Sequence, residues 1–186
     1  MRIRLLTLAI GLLIAPACLF AQPEVGITAV LNVSALAQGQ QGKLAVVLDI
    51  PDGYHAQSNT PTDDSAIKCE IKLDNVPGIE FGQAIYPPGI DQTFPALGKI
   101  NVYINRAVIR VPFTVAKDAK LGPIQLSGKV QMQICDTQSC FPPMNNPFSI
   151  DAAVVLAGTT ITATNADLFP DKSKSAPSTQ PADSAK

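Results

Sequence analysis

The amino-acid sequence predicts an all-β protein, an antiparallel sandwich built from short strands. Apolar and polar residues alternate with a period of two in one segment after another. Turn residues separate the segments, and no stretch shows the apolar spacing of a long amphipathic helix. With 46% hydrophobic residues, the 186-residue chain has enough apolar side chains for one domain with its own core, although it lacks Trp.

The chain opens with Arg2 and Arg4, an apolar run over 5–14, and small residues at Ala15, Ala17 and Ala21. This is the layout of a secretory signal peptide, and the run is shorter than the roughly 18–20 residues a membrane span needs. Residues 1–21 are therefore expected to be a cleaved leader and 22–158 the folded domain. Residues 159–186 are expected to form a polar disordered tail, because the apolar pattern ends at Leu156 and 171–186 is mostly Ser, Ala, Pro, Lys and Asp. Cleavage after Ala17 would instead leave Cys18 at the new N-terminus and create a lipid-anchor site, but Pro16 suits a lipobox poorly. Loss of the leader takes Arg2 and Arg4 from the 14 basic residues and none of the 15 acidic ones, leaving 12 against 15 and a net charge of −3. Such a balance argues against nucleic acid or an anionic membrane surface as partner. The expected location is periplasmic or otherwise exported, with no later membrane span.

Strands are expected over 25–33 and 43–50, the second with Leu44, Val46, Leu48 and Ile50 on one face and a turn at Pro51-Asp52-Gly53. Further strands are expected over 54–58, 66–73, 79–85, 100–105, 107–115, 124–135 and 148–156. In 107–115, Ile109, Val111, Phe113 and Val115 face inward, and Pro112 implies an edge strand or a bulge. Residues 86–98 are rich in Pro and Gly and read as a long loop, the kind that is usually functional, with Phe94 needing somewhere to dock.

Export places the cysteines in an oxidising compartment. Cys69 alternates in register with Ile67, Ile71 and Leu73, as a buried free thiol would. That leaves Cys135 and Cys140 as a disulfide hairpin at the end of an alternating strand. Val130, Met132 and Ile134 face the core there, so Cys135 falls on the outward, wet face with Lys129, Gln131 and Gln133. Hairpin geometry brings opposed Cα atoms to roughly 4.5–5.5 Å, and so short a closed loop stabilises the fold by only about 2 kcal/mol. Spacing alone leaves two roles open, a structural staple and a redox-active pair. Asp136 adjoins Cys135, and no Lys, Arg or His lies within the loop to stabilise a thiolate, so the redox role would be that of an electrophile attacked by an incoming thiolate. His55, the single histidine, reads more simply as the start of a strand than as half of a Cys–His catalytic pair. No zinc-ligand spacing, phosphate-cradling glycine motif or paired carboxylate stands out, and Asp63-Asp64 reads as a solvated loop.

From about Leu44 to Leu156 the chain resembles the N-terminal periplasmic domain of the thiol:disulfide interchange protein DsbD. Gln133-Ile134-Cys135-Asp136, Cys140 and Phe141-Pro142-Pro143 are similar to the family's Q-x-C-x4-C-x-P-P pattern. Supporting elements follow in the right order: Ile50-Pro51-Asp52-Gly53-Tyr54-His55, Tyr86-Pro87, and Gly98-Lys99 before a strand carrying Tyr103.

The resemblance implies an immunoglobulin-like sandwich without a cofactor or metal. It implies a thiol:disulfide oxidoreductase of the protein-disulfide reductase type. Its cysteine pair would relay reductant from a membrane electron carrier to thioredoxin-like exported proteins, including those of cytochrome c assembly. By the same resemblance, residues 91–98 form an aromatic cap loop with Asp91 and Phe94, Cys140 carries the mixed disulfide, Cys135 resolves it, and Tyr54 lies near the pair. Two departures stand out: the family's full-length members continue into membrane and thioredoxin-like domains, so the electron donor here would be a separate protein, and the Phe94-Pro95-Ala96-Leu97 segment is unusually proline-rich for a cap. The contrasting reading is a secreted immunoglobulin-like binding module whose disulfide is purely structural.

Overall fold

A computed structural model describes residues 22–63 and 65–170. The expected leader with Cys18, Asp64 and residues 171–186 lie outside the described residues. The strands in chain order are β1 (Gly26–Leu31), β2 (Leu36–Ala37), β3 (Gln41–Asp49), β4 (His55–Gln57), β5 (Glu70–Leu73), β6 (Ile79–Phe81), β7 (Ile90–Phe94), β8 (Gly98–Tyr103), β9 (Arg106–Val115), β10 (Gly122–Met132), β11 (Ile134–Cys135) and β12 (Met144–Val155). They form the expected all-β, immunoglobulin-like antiparallel sandwich. One sheet has the order β1-β3-β9-β6, the second β2-β12-β10-β5 and a third, smaller one β11-β4-β8-β7. The short β2 pairs with β12 in parallel, and every other pairing is antiparallel.

The period-two pattern accounts for the core. Leu44, Val46 and Leu48 of β3 and Ile109, Phe113 and Val115 of β9 pack in one cluster with Leu126, Val130 and Met132 of β10 and Val154 of β12. Ala45 and Val47, on the opposite face of β3, are equally buried. Ala45 pairs with Arg110, so both side chains lie on the same outer face, and Arg110 Nε donates to the Leu168 carbonyl at 2.5 Å. The C-terminal segment thus covers that face. It is tied down where Thr164 Oγ1 and Asn165 Nδ2 both donate to the Leu31 carbonyl at 2.8 Å, and Phe169 is buried at its end. The folded chain therefore runs through Pro170, beyond the boundary expected at residue 158. The polar residues that suggested a tail serve here as hydrogen-bonding groups along β1.

Two local expectations are revised. Residues 86–98 are not one long loop, because β7 pairs with β8 from Ile90↔Val102 to Phe94↔Gly98. A three-residue turn joins them, with Gly98 at φ +74° in the left-handed position that such turns require. The polar side chains of β7 hid a strand that has one face in solvent. The strand β9, which carries Pro112, is interior to its sheet. Beside Pro112 the neighbouring chain bulges: Gly82 N–H donates to the Pro112 carbonyl at 2.8 Å, and the next pairing is Ile85 with Arg110, three residues on one side against two on the other. The missing proline N–H falls at that break.

Candidate functional site

Strand β10 leaves its ladder with β12 at Met132↔Met144, and two residues later β11 pairs with β4 as Ile134↔Ala56 and Cys135↔His55. The chain thereby changes sheets while keeping its alternation. Ile134 enters the core and Cys135 points to the other side, as its parity requires. That side is nevertheless not wet: Cys135 is fully buried, contrary to the expectation that it lies on an exposed face. Its ladder partner His55 is itself buried and stacked on Phe94 of the β7–β8 hairpin, a long-range packing that local alternation does not reveal.

Cys135 and Cys140 form a disulfide with a Cα–Cα distance of 3.9 Å. Asp136 N–H donates to the Ser139 carbonyl at 2.9 Å and Phe141 N–H to the Ile134 carbonyl at 2.8 Å. The cysteines sit between these bonds as a non-hydrogen-bonded pair, the position where opposed strands approach most closely. Asp136 holds the loop, its Oδ1 accepting the Gln138 and Ser139 N–H groups at 2.8 and 2.7 Å. Those bonds, with a smaller contribution from His55, hold its carboxyl below the usual carboxylate range. Cys140 is exposed. The two sulfurs are therefore inequivalent: one opens to solvent and the other lies under protein.

The residue paired with Cys135 is itself packed on an aromatic ring. Phe94, at the end of β7, stacks on His55 with ring centroids 4.2 Å apart and an interplanar angle of 15°. His55 is 2% exposed. Burial pushes its imidazole below the ordinary 6.5, while the Asp136 carboxylate pulls the other way. Its Nε2 has no hydrogen-bond partner, nor does Oε1 of Gln57, two residues further along the same face of β4. Gln57, Leu97, Ile100, Gln133 and Cys140 line a shared hollow of about 270 Å³. A shallower groove separates Pro95 and Ala96 at the hairpin tip from Thr137 and Gln138 of the cysteine loop.

The other predicted positions are placed as follows. Asp91 is exposed and braces the hairpin, bonding Lys99 Nζ at 3.0 Å and accepting from Asn101 Nδ2 at 2.6 Å. Its ladder partner is Asn101, which puts it on the sheet face opposite to that of His55. Tyr54 is half-buried and packs on Phe141, the residue after Cys140, with centroids 6.0 Å apart. Cys69 is a buried free thiol, pushed up to about 12 by burial, which keeps it protonated and unreactive. His55 and Gln57 are the site residues that sequence reasoning missed. Their parity on β4 was legible, but the register that sets β4 beside residue 135 is a long-range pairing.

Fold and site together define a β-sandwich domain with a cystine hairpin, one cysteine exposed and the other buried and paired with His55, which stacks on Phe94. The chain belongs to the family described as thiol:disulfide interchange protein DsbD, N-terminal, which matches residues 26–152. Among solved structures, it is similar to the N-terminal domain of Neisseria meningitidis DsbD in its reduced form, at 21% identity and a TM-score of 0.39, covering 72% of this chain and 88% of that one. It is also similar to the N-terminal periplasmic domain of ScsB from Proteus mirabilis, at 13% identity and a TM-score of 0.43, covering 67% of this chain and 46% of that one. No curated relative matches the sequence. Among the described residues no helix is long and apolar enough to cross a membrane.

Proposed function

We propose that this chain is an exported thiol:disulfide interchange module in which Cys135 and Cys140 relay two electrons from a membrane electron carrier to thioredoxin-like periplasmic proteins. The reading includes removal of residues 1–21 as a signal peptide. The observation that carries it is the inequivalence of the two cysteines, Cys140 exposed and Cys135 buried and paired with a His55 that stacks on Phe94. An incoming thiolate attacks Cys140 Sγ in line with the S–S bond. Cys135 leaves as the thiolate and takes up a proton, and the donor's second thiol then resolves the mixed disulfide, leaving the pair reduced. Donation to an oxidised acceptor runs the same steps in reverse, with Cys140 carrying the mixed disulfide and Cys135 resolving it. Asp91 braces the cap hairpin in this scheme, Phe94 shields the inner sulfur between encounters, and Tyr54 supports Phe141 beside Cys140.

The test is the equilibrium of the Cys135–Cys140 bond with glutathione and thioredoxin buffers, read by mass-tagged alkylation. A relay equilibrates rapidly at a potential near those of exchange proteins. A bond resistant to reduction, with a potential below about −300 mV, would replace the relay with a stapled binding module. The double substitution Cys135→Ser with Cys140→Ser is expected to abolish exchange while costing about 2 kcal/mol of stability, so that the domain still folds. Denaturant unfolding checks this, and wholesale unfolding of the double variant would favour the staple.

A further inference from the structure

We propose that His55 is the proton acceptor for Cys135 when the reduced pair passes its electrons to an acceptor disulfide, an inference that rests on the relay reading above. His55 stands directly across the β4–β11 ladder from Cys135, two residues along from the Gln57 N–H to Gln133 carbonyl bond, so the two are cross-strand neighbours on one face in a hydrogen-bonded pair. Its Nε2 is buried and lacks a hydrogen-bond partner. A buried orphan of this kind calls for a reason, and here the redox state supplies one. The disulfide has no proton to offer, whereas the reduced Cys135 carries an S–H that the orphan nitrogen can accept. The second orphan on that face, Gln57 Oε1, lines the hollow with Cys140 and stands ready for the other thiol.

The groups around the imidazole favour this role. Asp136 is the carboxylate facing it from the cysteine loop, and its attraction stabilises the imidazolium once formed. On the same face β8 and β7 present Val102, Ile100, Gln92 and Phe94, none of which titrates. Lys99 and Asp91 pair with each other on the outer side of the hairpin, and Asp63 lines the hollow beside Gln57. Burial keeps the resting imidazole neutral and hence able to take a proton.

The step balances as follows. Cys140 as thiolate attacks the acceptor disulfide, forming a mixed disulfide and releasing the first acceptor sulfur as a thiolate. The Cys135 S–H proton then passes to His55 Nε2 as its sulfur attacks Cys140 Sγ. The Cys135–Cys140 bond forms, the bond from Cys140 to the acceptor breaks, and the second acceptor thiolate leaves and is protonated by the imidazolium. Two electrons have moved from the dithiol to the acceptor, whose first sulfur takes from solvent the proton that Cys140 gave up on ionising, so that the acceptor ends as two thiols.

The experiment uses the reduced full chain and oxidised glutathione, following release of glutathione from the mixed disulfide at Cys140 by rapid mixing across the acid and neutral range. In the wild type the release rate climbs with pH along a limb set by deprotonation of the imidazole, below its ordinary 6.5. His55→Phe keeps a ring to stack on Phe94 but cannot accept a proton, and His55→Gln keeps a polar group but does not titrate. Both are expected to lose the limb and to release glutathione about 10²-fold more slowly at neutral pH. The equilibrium constant with glutathione should change far less than the rate. If either folded variant keeps the wild-type rate and pH profile, the assignment to His55 is overturned while the relay stands. If the wild-type pair does not exchange with glutathione or thioredoxin at all, the relay falls and this inference falls with it.

Discussion

At the scale of single residues, His55 and Asp136 set the pH behaviour of the site in opposite senses. The imidazole binds its proton less readily in the folded chain than in the unfolded one because burial disfavours the cation. The unfolded state therefore holds more protons between the lowered folded value and 6.5, and stability must rise with pH across that window. Thermal unfolding of the oxidised protein is expected to show a melting temperature that falls as pH drops through 6.5, with a flatter profile in His55→Phe. Asp136 behaves conversely. Its folded value is depressed, chiefly by the Gln138 and Ser139 N–H groups, so its contribution is present above the unfolded value and is lost only as pH falls through the depressed one. Asp136→Ala frees those two amides, and hydrogen exchange at Gln138 and Ser139 should accelerate while exchange in β10 and β12 stays unchanged. His55 was visible in the sequence as the single histidine beginning a strand. Its relation to Cys135 was not, because residues 80 apart become neighbours only through the β4–β11 pairing.

At the scale of elements, the proposed function gives the β7–β8 hairpin the task of controlling what reaches the inner sulfur. Its strand β8 is joined to β4 at Ala56↔Tyr103 and Gln57↔Val102, with Ser58 N–H donating to the Asn101 carbonyl at 3.0 Å and the Tyr103 hydroxyl bonded to Asn59 and the Pro87 carbonyl. Its tip depends on Phe94 seated on His55. An aromatic stack of this kind is worth about 1 kcal/mol beyond area burial, or roughly a fivefold change in the open population. Phe94→Ala is accordingly expected to speed reduction of the disulfide by a small thiol about fivefold with little effect on global stability; equal rates would show that the hairpin does not shield the bond. The root of the hairpin is more tightly built. Gly89 lies directly against the Asn101 side chain and within 2.8 Å of Ser58 Cβ for any added methyl group, so Gly89→Ala must shift these two side chains at the root of the hairpin. The sequence showed that this segment was unusual and that Phe94 needed a seat. It did not show a strand, because β7 is a half-exposed edge with charged and polar side chains that pass for a loop.

At the scale of the whole molecule, the sandwich buries both faces of β3, and the segment after β12 closes the outer one. Phe169, buried at the end of that segment, contributes about 2 kcal/mol if its ring is fully removed from water. Phe169→Ala should lower the denaturant midpoint by a corresponding amount and leave the rate of disulfide exchange unaltered, because the segment packs against the first sheet and the cysteines lie on the third. A loss of exchange in that variant would mean that the two regions are coupled.

Alternation and cysteine spacing by themselves determined most of the secondary structure, the inward faces of β3, β9 and β10, the buried free Cys69 and the cystine hairpin. These are properties of residues near one another in sequence, where a period of two leaves a readable mark. Only the tertiary structure decided that Cys135 is buried, that β7 is a strand, that residues 159–170 belong to the fold, that His55 pairs with Cys135 and that Gln57 lines a hollow with Cys140. Each of these follows from a pairing between distant segments, whose register is set by the packing of the whole sandwich and leaves no local pattern to read.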